Sequence, residues 1–215
     1  SGAKKAIEVY YNKVSIDNCV IKDCSVNGVY LNNSEFGSFT ANTISDCEEY
    51  PLVIPFLQAT AVTSDNEISG IGICLTGENV GKKNGKVTVH EQTIPYVFGN
   101  GLWGFEINDN AEVTIEPGVT IAMPEDCFIR VGYSTSGKLT AVGTEEKPIT
   151  FTSNLTDKAA GDWQGIYFDQ YSSKSSALKN CHIEYAGGGD YGAVYVYYTA
   201  VAIDSCTITN SSSYG

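Results

Sequence analysis

Residues 201–215 read VAIDSCTITNSSSYG, and residues 14–28 read VSIDNCVIKDCSVNG. Seven positions agree at a constant offset of 187: Val14/Val201, Ile16/Ile203, Asp17/Asp204, Cys19/Cys206, Ile21/Ile208, Ser25/Ser212 and Gly28/Gly215. The inner part of the pattern is an apolar residue, then Cys or Asn three positions on, then Ile two further. It recurs as Phe39-Asn42-Ile44, more weakly as Thr63-Asn66-Ile68, and as Leu178-Cys181-Ile183. Neighbouring copies lie 23, 24 and 25 residues apart. Repetition at such a period marks a solenoid, in which each unit buries its apolar side only against the next.

Within residues 14–75 each repeat holds three short runs suited to strands: VSI, CVI and VYL, then SFT, NTI and PLVIPF, then AVT, NEI and GIGICL. They are rich in β-branched and aromatic residues and are broken by Asn, Asp and Gly, the expected strand-and-turn chemistry. Three strands per repeat predict an all-β chain folded as a right-handed, single-stranded parallel β-helix, with coils of about 23 residues. The 187 residues between matching copies would then hold eight coils. Alternation turns the Cys/Asn slot and the following Ile inward, so Cys19 should stack with Asn42 and Asn66, and Cys181 with Cys206. Further on, GENVGKKNGK (77–86) reads as a protruding loop. In VTIEPGVTIAM (113–123), Pro117-Gly118 predicts a type II turn between two strands.

A solenoid has no size ceiling, so residues 1–215 are expected to form one domain. The first copy runs on after Gly28 into VYL whereas the last stops at Gly215, which predicts a piece of a longer chain. The formal net charge is −12 and Arg130 is the only arginine. Phosphate backbones and anionic membranes are bound by clustered Lys and Arg, so neither nucleic acid nor a membrane surface is an expected partner. No run approaches the roughly 18–20 apolar residues of a membrane span. The seven cysteines form no Cys-x-x-Cys pair, and three of them occupy the repeat slot as small apolar residues. Cys24 and Cys47 stack at the 23-residue offset, where either free thiols or a disulfide would fit.

The series VTIEPGVTI, GKLTAVGTEEKPITFTS, GDWQGIYF and LKNCHIEYAG resembles the repeats of secreted or surface-attached bacterial parallel β-helix proteins of the pectate-lyase-like superfamily. The resemblance covers about residues 110–215. It implies a fold and an extracellular or cell-surface location, but one fold hosts many activities. Lyases of that superfamily use an arginine or lysine base beside calcium-binding carboxylates, and Arg130 stands alone in FIRVG. The pectin hydrolases carry Asn-Thr-Asp, Asp-Asp, Gly-His-Gly and Arg-Ile-Lys, and none of these strings occurs.

Glycoside hydrolysis needs two carboxylates across one cleft. Asp17, Asp23, Asp46, Asp65 and Asp204 sit at breaks, where Asp commonly caps its own backbone. His182 and Glu184 share an outward face and could serve a metal or a proton transfer, or be plain surface residues. No metal site and no catalytic set is assigned. The remaining feature is aromatic. Burying Ile166 and Phe168 in GIYF turns Tyr167 outward, and burying Val194 and Val196 turns Tyr195 and Tyr197 outward, with Tyr30 expected in the corresponding strand of VYL. Such a ladder either contacts sugar faces, with Asp190 in the loop AGGGDYG (186–192) supplying polar groups, or is ordinary strand chemistry. The expected function is a non-catalytic extracellular module for adhesion or carbohydrate contact. The alternative is a polysaccharide-active lyase or glycoside hydrolase using acidic turns and a calcium ion.

Overall fold

The computed structural model describes residues 5–77, 85–99 and 102–212. All strand pairings among them are parallel. A nine-stranded sheet runs the length of the solenoid: Ile7–Tyr10, Val29–Asn32, Leu52–Pro55, Ile73–Thr76, Tyr96–Phe98, Thr120–Met123, Ile149–Ser153, Cys181–Glu184 and Thr207–Thr209. Nine strands in one file make eight circuits of the chain. A five-stranded sheet (Lys86–Val89, Ala111–Ile115, Gly137–Val142, Ala177–Lys179, Ala202–Asp204) and a four-stranded sheet (Phe105–Ile107, Phe128–Val131, Gly165–Phe168, Val194–Val196) enclose the later circuits. From Phe105 onward the chain visits the four-, five- and nine-stranded sheets in that order four times. Earlier circuits are closed by a two-stranded sheet (Lys13–Asp17, Glu35–Thr40) and a three-stranded one (Val20–Ile21, Thr43–Ile44, Glu67–Ile68).

Sharp corners let strands this short follow one another. Asn18, Asp23, Asn33, Asp46, Asn180 and Asn210 all have φ between 44° and 55°, a region that Asn and Asp tolerate better than other side-chain-bearing residues. At the Pro117-Gly118 turn Gly118 has φ 85°, and the Val119 N–H donates to Glu116 O at 3.4 Å, as a type II turn requires. The interior is a continuous apolar column with Ile44, Leu52, Ile54, Ile73, Phe98, Ile121, Phe151, Phe168 and Ile183 fully buried. Its polar exceptions are paired: the Trp163 indole N–H donates to Glu184 O at 2.8 Å, and the Tyr96 hydroxyl donates to His90 O at 2.9 Å.

The Cys/Asn ladder forms as the repeat predicts. The Cys19 N–H donates to Asn42 Oδ1 (3.0 Å), the Asn42 N–H donates to Asn66 Oδ1 (3.1 Å), and Asn42 Nδ2 donates to Ile16 O (2.8 Å). Each Asn side chain thus serves the backbone of the neighbouring coil. At the far end Cys181 is buried and its thiol is pushed up to about 12, by burial first and the Cys206 thiol second. Cys24 and Cys47 pair across adjacent coils as free thiols, and Cys47 is likewise raised to about 12 by burial and by Cys24.

The structure corrects several expectations. The AVT run is not a strand. Phe56–Ala61 is a 3-10 helix entered from Pro55, whose fixed φ suits that entry. Gln58 Oε1 accepts the Phe36 N–H (2.8 Å) and Thr60 Oγ1 accepts the Thr88 N–H (2.9 Å), so side chains replace the missing ladder bonds. Val14 and Val201 stand seven circuits apart rather than eight, because later coils are longer. The in-register offset grows from 22 residues at Ile7↔Val29 to 32 at Ile149↔Cys181. Tyr30 lies in the nine-stranded sheet, whereas Tyr167 and Tyr195 lie in the four-stranded one, so they are not corresponding positions. Val196, expected inside, is 39% exposed because it belongs to the last strand of its sheet among the described residues. Most of the loop read in GENVGKKNGK, residues 78–84, lies outside the described residues.

Candidate functional site

Strict alternation in the four-stranded sheet sends one file of side chains into the core and the next out. Ile107, Val131, Phe168 and Ile129, Ile166 are buried in the core. The in-register outer file is Glu106, Arg130, Tyr167 and Tyr195. One step along, Asp169 follows Phe168 and its N–H donates to Val131 O (2.9 Å), while the Tyr197 N–H donates to Phe168 O (2.8 Å). Arg130 and Asp169 therefore meet on this face: Nε lies 3.1 Å from Oδ2, with side chains 21% and 12% exposed.

Aromatic rings enclose the pair. The guanidinium carbon of Arg130 is 4.6 Å from the ring centroid of Tyr133, 5.0 Å from Phe128 and 5.5 Å from Tyr167, within the range of cation–π attraction. Tyr191 stacks on Tyr195 (4.1 Å, 20°), Tyr195 on Tyr197 (6.0 Å, 16°), and Tyr198 meets Tyr197 edge-on (4.5 Å, 90°). Tyr133, Tyr191, Tyr197 and Tyr198 are exposed. A phenol-edged patch thus surrounds the only arginine of the chain.

Tyr167 lies on the outer face, as alternation requires, but it is only 1% exposed. The loop 186–192 returns over it. Tyr191 meets its ring edge-on at 5.5 Å, and a side chain added at Gly189 would stand 2.8 Å from its hydroxyl. Glycine there leaves room for the phenol. Tyr167 and Tyr195, expected to line up as a flat ladder, are T-shaped instead (6.1 Å, 86°), because the inserted Tyr191 takes the stacking position on Tyr195. Tyr195 is half-buried, Tyr197 is 42% exposed, and Asp190 lies near enough to act electrostatically on Tyr167. The four residues singled out in the sequence do come together, with Tyr167 as the floor rather than the surface.

The electrostatics follow from burial. Desolvation holds the Asp169 carboxyl above the usual carboxylate range, and Arg130 opposes it. Burial pushes the Tyr167 phenol up to about 12, again against Arg130. The Arg130 Nε–H is not aimed at Asp169 Oδ2 despite the short separation. Nε, Oδ2 and the Tyr167 hydroxyl are all sealed from solvent without a hydrogen-bond partner, a costly state that structural networks avoid. The meeting of Arg130 with Asp169 was missed in the sequence. Aligning FIRV with GIYF, Ile129 on Ile166, would have placed Arg130 beside Tyr167.

The acidic turns do a different job. Asp17 accepts from the Thr40 N–H (3.0 Å), Thr40 Oγ1 (2.6 Å) and Ser38 Oγ (2.5 Å), and Asp65 accepts from the Ala41 N–H (3.2 Å). Asp17 thus braces the adjacent coil, whereas Asp65, Asp46 and Asp204 also accept within their own turns, from Thr63 and Asn66, from Ser45 and from Ser205. Asp204 pairs with Lys179 of the preceding coil (3.1 Å). His182 and Glu184 do share the outer face, and Glu184 accepts from Thr152 Oγ1 (3.2 Å). No three His, Cys, Asp or Glu side chains converge on one point among the described residues. Two surface grooves lie elsewhere, one of about 550 Å³ by Asn66, Glu67 and Gln92, the other of about 510 Å³ by Tyr11, Asn33 and Gln58. Neither contains an unpartnered buried polar atom.

No curated protein and no solved structure matches the chain. Residues 82–169 match the family model described as a pectate-lyase like beta helix domain, a span that includes Arg130, Tyr167 and Asp169 and stops short of Tyr191, Tyr195 and Tyr197. The chain is a parallel β-solenoid that carries a pectate-lyase-like segment, with the Arg130–Asp169 pair inside that segment and most of the tyrosine patch just beyond it.

Proposed function

We propose that the protein is a non-catalytic β-helix module that contacts carbohydrate through the tyrosine face, at the cell surface or outside the cell, in an adhesive role. The observation that carries this reading is the linked set of rings Tyr191, Tyr195, Tyr197 and Tyr198, which continues from Tyr167 beside the Arg130–Asp169 pair, with Tyr133 also against the arginine. A tyrosine offers an apolar ring and a hydroxyl at little entropic cost, which suits the mixed C–H and O–H surface of a sugar. The patch is open and excludes little water, so the expected Kd is on the order of a millimolar to tens of micromolar. A glycan array probed with the parent chain should give binders, and Tyr195→Ala and Tyr197→Ala should lose them with the fold intact. Absence of any glycan binding would refute the reading.

A second reading rests on Arg130 lying beside a carboxylate within the segment that resembles the pectate-lyase like domain. In it the chain is a polysaccharide-active enzyme. Unsaturated or reducing-end products from anionic polysaccharides, with calcium added and lost in Arg130→Ala, would establish it.

A further inference from the structure

The Arg130–Asp169 pair also bears on which carbohydrate the tyrosine face takes, an inference that rests on the carbohydrate reading above. Nε and Oδ2 are sealed, yet the two side chains keep 21% and 12% exposure. The exposed part therefore belongs to their other atoms, which reach solvent among the tyrosines. A donor and an acceptor consequently stand side by side at the base of an aromatic patch. The positive charge is not free. Asp169 lies against it, and Asp190 adds a second carboxylate close enough to act on Tyr167. Glu106, next to Arg130 in the outer file, adds a third carboxylate, so the local balance is two negative charges, within a chain of net charge −12.

We propose that this site selects neutral saccharides, with Arg130 donating to one hydroxyl of the sugar and Asp169 accepting from its neighbour. A vicinal diol supplies one acceptor and one donor at the spacing of adjacent polar atoms, and leaves the charge balance of the pair undisturbed. A uronate or sulfate would instead compete with Asp169 for the guanidinium. It would also leave Asp169 without its partner among aromatic rings, where it must either bear an unpaired charge or take up a proton, and both are unfavourable.

The test uses the full chain and two probe sets of equal length, neutral hexose oligosaccharides and uronic-acid oligosaccharides, titrated at low and at high salt. Binding of a neutral probe at least tenfold tighter than the uronate, and unchanged by salt, is expected. Asp169→Asn, which keeps the shape but frees the arginine, should weaken the neutral probe about tenfold and improve the uronate. Tighter uronate binding by the parent, weakening as salt rises, overturns the selectivity while leaving the carbohydrate reading standing. Binding of neither class overturns both. The comparison on the parent chain decides the matter even if Asp169→Asn fails to fold.

Discussion

The coils of residues 14–68 and the four-stranded sheet are built on one architecture, yet they treat their polar side chains in opposite ways. In the early coils the ladder's polar groups meet partners one coil away: Asn42 serves Cys19 and Ile16, Asn66 serves Asn42, Asp17 serves Ser38 and Thr40. In the four-stranded sheet the outer file holds Arg130 and Tyr167, and with Asp169 alongside it leaves three polar atoms sealed and unpartnered. Both regions pack against the same apolar column. The difference separates polar residues that hold coils together from polar residues that the fold has to bear.

That contrast predicts a ranking of effects. Of the changes to the two sets of polar partners, Asn42→Ala should be the more damaging, since it strands the part-buried Cys19 N–H and the buried Ile16 carbonyl at about 1–3 kcal/mol each, and thermal unfolding should show a loss of that size. Arg130→Ala should cost less, about 2 kcal/mol, because the Asp169 left behind already holds its carboxyl above the usual range and can take up a proton. An equal or larger loss than for Asn42→Ala would mean that the Arg130–Asp169 pair is a structural brace.

Acid should distinguish the two regions further. Hydrogen bonds from Ser38 and Thr40 hold Asp17 below its ordinary value, and those from Thr63 and the Ala41 N–H do the same for Asp65. Depressed carboxyls add stability that is present above the unfolded value, near pH 4, and is lost as pH falls through the folded one. Asp169 is shifted the other way, so protonation favours the folded form there. The melting temperature should therefore fall below about pH 4, and fall less steeply in Asp17→Asn. An identical slope in that variant would remove Asp17 from the account. Tyr195→Ala should have the smallest effect on stability, about 0.5 kcal/mol for a surface substitution, while abolishing glycan binding. Tyr167→Ala, by contrast, removes a buried ring and should cost about 3–5 kcal/mol, so Tyr167→Phe is the variant that reports on its hydroxyl.

The ladder was legible because a solenoid repeats its structural residues at one period, and Cys19, Asn42 and Asn66 obey it. The outward direction of Tyr167, Tyr195 and Tyr197 was legible for a similar reason, namely strand alternation. Burial of Tyr167 was not, since the ring that covers it comes from Tyr191 in a loop whose path the repeat does not specify. The Arg130–Asp169 contact was hidden because coil length breaks there. Ile129 pairs with Ile166 at an offset of 37, far from the 23-residue period that organises the early coils. The 3-10 helix at Phe56–Ala61 escaped notice because Gln58 and Thr60 perform a strand's hydrogen bonding through their side chains.

The central claim, that the tyrosine face is the surface that meets carbohydrate, is tested most directly by NMR of the tyrosine rings. With the phenolic rings isotopically labelled and a glycan from the array titrated in, the resonances of Tyr191, Tyr195 and Tyr197 should shift together and saturate on one binding curve. Those of Tyr11 and Tyr30, in the early coils, should stay where they are. Shifts confined to Tyr11 and Tyr30, or a glycan that binds without moving Tyr195 and Tyr197, would contradict the account.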